Sequence, residues 1–156
     1  MQAKILNLFS NVTTNNHKLK VGHGQSFLIK ISGEKILYDT GLNAKTLLNN
    51  METFSISPDE ITKLVLSHGH ADHTGGLPGF LDERNANNVL SLIAHPSFRE
   101  NKIYKVLYLF NKSLACPPLT TSQENKLEMH LTAEPVQLAL NLKTTGEITD
   151  RNEKYG

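Results

Sequence analysis

Residues 64–80, LVLSHGHADHTGGLPGF, constrain this chain more than any other stretch. An apolar run, Leu64 to Leu66, stops abruptly in a cluster of coordinating side chains: His68, His70, Asp72 and His73. Gly75 and Gly76 follow at once. The apolar run reads as a buried strand, so the cluster begins where that strand ends. Loops at strand ends, carried on a rigid sheet, are where chemistry concentrates. Side chains two residues apart in extended chain point the same way, so His68 and His70 can share one ion. Asp72 and His73 come after the chain has begun to turn and can face a second ion. Burying four such groups without a cation would leave repelling or unsatisfied atoms, which is costly. Neutral imidazoles and carboxylates converging on one point are what a transition-metal site requires. Gly69 is expected to take an unusual dihedral between ligands, and Gly75 and Gly76 to turn the chain into the next helix.

The rest of the chain reads as a mixed α/β domain. Strands are expected at 3–9, 25–31, 35–39, 62–67 and 88–95, and two or three short ones within 127–148. The two runs 25–31 and 35–39 flank SGE, a hairpin with Gly33 at its turn. Leu47, Leu48 and Met51 at helical spacing predict a helix over 43–54, and a second is expected over 77–85. Ser57, Pro58 and Glu60 form a capping box with proline at the first helical position. Ser97 and Glu100 repeat that pattern. The run 102–110 fits helix or strand equally, and the proline-bearing segment 111–125 is expected to be an exposed connection.

Composition narrows the function classes. With 156 residues and 38% apolar content, the chain can build one domain with its own core. A net charge of +1 with no sustained basic stripe gives no indication of nucleic acid. No apolar run reaches membrane-spanning length, and the N-terminus lacks the pattern of a signal peptide. The single cysteine, Cys116, cannot form an internal disulfide and reads as a small buried hydrophobe; a reducing, cytoplasmic setting is expected.

SHGHADHTGGL resembles the H-x-H-x-D-H signature of the metallo-β-lactamase-fold superfamily. GHGQSFLIKISGEKILYDTG resembles that superfamily's opening hairpin and its Asp-Thr-Gly turn. The segments around residues 61–81, LIAHPSF and TTGEI are similar to one branch. That branch holds metal-dependent hydrolases and a methanogen synthase that joins a phosphoribosyl unit to p-aminobenzoate in methanopterin synthesis. The resemblance implies an αββα sandwich and two divalent metal ions, zinc first and iron or manganese as alternatives. It implies that His68 and His70 bind one ion and that Asp72 and His73 bind the other, with Asp72 also catalytic. Asp39 would stand behind the loop and hydrogen-bond to it. His23 and His95 match recurring positions and are candidate substrate or ligand contacts. His17 and His130 have no motif context.

The implied activity is hydrolysis of an ester, amide or phosphoester by a metal-activated water. The alternatives are the phosphoribosyl-transferring synthase and a catalytically incomplete metal-binding half-domain. The family's second-half ligands follow its TGEI segment, whereas here Gly156 comes eight residues after Ile148. The chain therefore reads as a single domain over 1–156 containing the first half of the fold. A small-molecule substrate is expected, with a complementing second half or a second copy of the chain as partner. The sheet face around Phe27, Ile29, Ile36 and Val65 is expected to be exposed.

Overall fold

The computed structural model describes residues 2–13, 15–100, 103–106 and 110–149, with the backbone alone over 103–106 and 110–113. In chain order the elements are β1 (Lys4–Phe9), β2 (Ser26–Ile31), β3 (Glu34–Tyr38), α1 (Ala44–Thr53), β4 (Lys63–Val65), α2 (Ala71–Thr74), α3 (Leu77–Asp82) and β5 (Leu90–Ala94). They continue with β6 (Ile103–Val106), β7 (Phe110–Ser113), α4 (Thr121–Glu124), β8 (Leu127–Leu131), β9 (Gln137–Ala139) and β10 (Leu142–Lys143). Short 3-10 turns fill Pro58–Glu60 and Pro96–Arg99.

One sheet organises the molecule, in the order β1-β2-β3-β4-β5-β8. The first three strands run antiparallel, and β3, β4, β5 and β8 run parallel. The β2–β3 turn is Ser32-Gly33, both left-handed, at φ 52° for the serine and φ 83° for the glycine. A two-residue hairpin that follows the sheet's own twist requires such dihedrals. Parallel pairing makes β3, β4 and β5 end on the same edge. That edge carries Asp39, the loop from Ser67 to His73, and His95.

Side chains alternate between the two faces. Leu28, Leu37, Leu64 and Leu92 lie in register across four strands and are all fully buried. They pack under α1 and α3, against Leu47, Met51, Leu77, Phe80 and Leu81. Ile36, Val65 and Ile93 face the other way and are covered by Leu138, with Val136, Ala139 and Leu142 half-buried beside them. This corrects the expectation of an exposed second face. Ile36 is 0% and Val65 5% exposed, because the β9–β10 hairpin folds back over the middle of the sheet. Phe27 and Ile29 are half-buried, and Ile5 on β1 remains 69% exposed.

Other local expectations also shift. Ser57, Pro58 and Glu60 form their capping box, but the cap of the Pro96–Arg99 turn is His95, whose side chain accepts from the Ser97 N–H, not Ser97 itself. Residues 103–106 and 110–113 pair as antiparallel strands, while 101, 102 and 107–109 lie outside the described residues. The segment 111–125 is no bare connection. It holds part of β7 and a capped α4, whose Gln123 is buried and donates to the Pro78 carbonyl and the Asp82 carboxylate.

Candidate metal centre

The site grows from the end of β4. Leu66 N–H still bonds to Ile93 O (3.0 Å), so the chain is held to β5 one residue beyond the strand proper. His70 then serves as N-cap of α2 without using its ring, and the single helical turn that follows presents Asp72 and His73. The His73 carbonyl closes the turn by accepting from both the amide (2.7 Å) and the hydroxyl (3.0 Å) of Thr40.

The glycines have a different reason from the one expected. Gly69 carries no positive φ. A side-chain carbon there would lie 1.9 Å from the Phe98 carbonyl oxygen, so only glycine lets the loop sit against the β5-end turn. Gly75 and Gly76 have ordinary helical dihedrals, and a side-chain carbon on them would strike the carbonyls of Leu42 and Thr40 at 2.1 and 2.3 Å. Close approach, not turning freedom, selects glycine at these positions.

Four ring and carboxylate groups converge. His68 Nε2 stands 2.9 Å from His70 Nδ1. The His68 ring centre lies 4.1 Å from that of His73. Asp72 Oδ2 is 3.6 Å from His73 Nε2. One ligand atom each from His68, Asp72 and His73 falls within 4.8 Å of the others. The structure thus gathers His68 with Asp72 and His73, and sets His70 directly against His68. Burial first, then the adjacent His73 and His70 rings, push the His68 imidazole below its ordinary value of 6.5, since both effects disfavour its charged form. Donor chemistry fits a divalent cation. Imidazole nitrogens with a carboxylate oxygen suit zinc or iron. Tetrahedral zinc separates its nitrogen ligands by roughly 3.3 Å, so a pair at 2.9 Å needs only a small adjustment to share an ion.

Behind the cluster lies Asp39, fully buried and left-handed at φ 57°. Its Oδ1 accepts from Ser67 N–H (2.8 Å), and its Oδ2 contacts Ser67 Oγ (2.7 Å) and His73 Nδ1 (2.7 Å). Aspartate tolerates this dihedral better than most residues, and strain of this kind gathers at functional sites. Burial, then the Asp39 charge, push the half-buried Tyr38 phenol upward, against a smaller lowering by a hydrogen bond with Ser67.

His23 stands at the rim, its side chain 68% exposed and its Nε2 3.5 Å from Asp72 Oδ2. Asn11 organises that loop by accepting from Gly24 N–H (2.8 Å) and touching His23 Nδ1 (3.3 Å). An open cleft of about 280 Å³ runs here, lined by Asn7, Asn11, His23, Phe27, Asp72 and His73 among others. The structure does not bring His95 into the group. Its Nδ1 meets Ser97 Oγ at 2.7 Å and its Nε2 faces Glu147 at 3.9 Å. Sequence reasoning missed Ser67 and Asn11. Ser67 had a usable signal, a hydroxyl immediately before the first histidine, whereas Asn11 sits in a polar loop that looks like any other.

The model of the metallo-β-lactamase superfamily matches residues 19–140, and the chain belongs to that superfamily. It is 31% identical, over 96% of its length, to the 7,8-dihydropterin-6-methyl-4-(β-D-ribofuranosyl)-aminobenzene-5'-phosphate synthase of Methanocaldococcus jannaschii, of which it covers 52%. That name describes a product uniting a dihydropterin with a ribofuranosyl-aminobenzene phosphate, and does not itself specify transfer of a phosphoribosyl unit. The ribonuclease Z of Pyrococcus abyssi is 38% identical over 60 residues, 38% of this chain and 19% of that one. In fold, the chain is similar to the metallo-β-lactamase SMB-1 bound to 2-mercaptoethanesulfonate, with a TM-score of 0.51 at 15% identity, covering 85% of this chain and 49% of that one. The chain spans about half the length of the synthase and of the lactamase.

Proposed function

We propose that this chain carries metal-binding residues of a metal-dependent hydrolase acting on an ester, amide or phosphoester of a small molecule. The observation that supports it most is the convergence of His68, Asp72 and His73 on one point, with His70 alongside. His68 and His70 would hold one divalent cation, and Asp72 and His73 a second. When bound, such cations supply Lewis acidity, lowering the pKa of a water and stabilising negative charge on the reacting oxygen. The chain's own residues do the rest. Asp39 holds the His73 ring by its Nδ1, fixing where its other nitrogen points. Asp72 lines the open cleft and orients the attacking group there. His23, within 3.5 Å of Asp72 and mostly exposed, is placed to touch substrate at the rim. Likeness to a ribonuclease supports the phosphoester class. A cytoplasmic location accords with the lone cysteine.

A synthase is the second reading, favoured by similarity to the Methanocaldococcus enzyme across nearly the whole chain. Product analysis separates the two, since water is the acceptor in one and an organic amine or carbon centre in the other. The synthase runs to about twice this length.

The experiment is to load the purified chain with zinc, manganese or iron(II), dialyse it against metal-free buffer, and measure bound metal and turnover of nitrophenyl ester and phosphodiester substrates. Bound metal and slow, chelator-sensitive hydrolysis are expected, both abolished in His68→Ala. Absence of metal binding by the parent chain would sink the proposal. Tight binding of two ions with rapid turnover would instead show that no second half is needed.

A further inference from the structure

Ser67 has no role in the reading above, yet it touches Asp39, His68 and His73 together. Its backbone N–H donates to Asp39 Oδ1, and its hydroxyl oxygen lies 2.7 Å from Asp39 Oδ2, 3.0 Å from His68 Nδ1 and 3.3 Å from His73 Nδ1. One hydroxyl has a single proton and two lone pairs. An ionised carboxylate can only accept, so the Ser67 proton goes to Asp39 Oδ2. The His73 Nδ1 proton goes to the same oxygen, 2.7 Å away, in preference to the more distant hydroxyl. A hydroxyl lone pair is then left for His68 Nδ1–H.

We infer that Ser67 is a positioning residue which relays the Asp39 charge to His68 and locks that ring in its Nδ1–H tautomer. Asp39 thereby sets two imidazoles at once: His73 directly, His68 through the serine hydroxyl. Both rings then present an unprotonated Nε2 to the same place. For His68 that atom faces His70 Nδ1 at 2.9 Å, and for His73 it faces Asp72 at 3.6 Å. Ligating histidines commonly give their other N–H to a carboxylate or backbone carbonyl. Here one buried carboxylate serves two of them, and the hydroxyl is the link. The inference rests on the metal reading for its purpose, but the tautomer itself is a property of the metal-free chain.

The test compares the parent chain with Ser67→Ala and Ser67→Thr. Alanine keeps the backbone N–H to Asp39 and loses only the hydroxyl; threonine restores it. Nitrogen-15 spectra of the chelator-treated, histidine-labelled proteins at mildly alkaline pH report each ring's tautomer, with His68 assigned by its loss in His68→Gln. Zinc affinity is read by competition with a chromophoric chelator. His68 is expected as the Nδ1–H form in the parent and in Ser67→Thr, and as a mixture in Ser67→Ala, with His73 unmoved. Zinc affinity should fall about 10-fold or more in Ser67→Ala and recover in Ser67→Thr. An unchanged His68 tautomer in Ser67→Ala overturns the inference, whatever the affinity does. Where the parent chain binds zinc, a changed tautomer with unchanged affinity overturns it as well. If the parent chain binds no zinc but the tautomer follows the hydroxyl, the metal reading falls and the positioning role stands.

Discussion

Two neighbouring parallel strands, β4 and β5, end on the same edge of the sheet, and both lead into histidine. Their fates differ. After β4, His73 directly and His68 through Ser67 gather on a buried carboxylate, and His70 stands against His68. His95 after β5 turns back on its own chain and caps a 3-10 turn. Both begin from the same backbone circumstance, a strand running out into a loop. What separates them is the residue on the neighbouring strand: β3 delivers Asp39 beneath the β4 loop, and its charge needs donors. Among the described residues, the β5 loop has no buried carboxylate beneath it, and the acid that His95 faces, Glu147, is half exposed. A histidine at a strand end becomes a candidate ligand when the adjacent strand supplies something to orient it.

The largest effect should come from removing that difference. Asp39→Ala strands the Ser67 N–H and hydroxyl and the His73 N–H, and should cost roughly 2–4 kcal/mol in urea denaturation along with most of the zinc affinity. Next comes the contact joining the two strand ends. Gly69→Ala drives a methyl into the Phe98 carbonyl, which can relax only by moving backbone, and should cost about 1–3 kcal/mol. Loss of stability below a few tenths of that would mean the two loops are not packed as described. A smaller effect is pH dependence. The folded state pushes the His68 imidazole below 6.5, so protons bind the unfolded chain more readily. His68's contribution to stability is full above that value and is lost as pH falls through the lowered folded value. Urea midpoints in chelator should therefore drop on acidification, and less steeply in His68→Gln. Smallest is His95→Ala, which removes a cap worth about 1 kcal/mol or less and should leave zinc affinity within about twofold. A large loss of metal binding there would erase the contrast between the two ends.

How much of this was legible in sequence follows from how local each cause is. The hairpin at Ser32-Gly33, α1 and the Ser57 box are written in adjacent residues, and they appear where the pattern puts them. The cluster from His68 to His73 was legible because its members lie within one loop, and Asp39 because it ends a recognisable strand. Long-range causes were not legible. Nothing in Gly69, Gly75 or Gly76 names the carbonyls that press on them, and nothing in the segment from Val136 to Leu142 says it folds back over Ile36 and Val65. His95 resembled a site residue by position, while its actual bond is to the Ser97 amide two positions on, a contact that competes silently with ligation. The Ser67 hydroxyl stands beside the first histidine in sequence, but its partner, Asp39, comes from a distant strand.

The central claim is that the β4 end, not the β5 end, is a metal centre. Crystals of the chain soaked in zinc and measured on both sides of the zinc absorption edge test it directly. The account predicts an anomalous peak within coordination distance of His68, Asp72 or His73, and none at His95. A peak at His95, or none at His68, His70, Asp72 or His73 under saturating zinc, would contradict it.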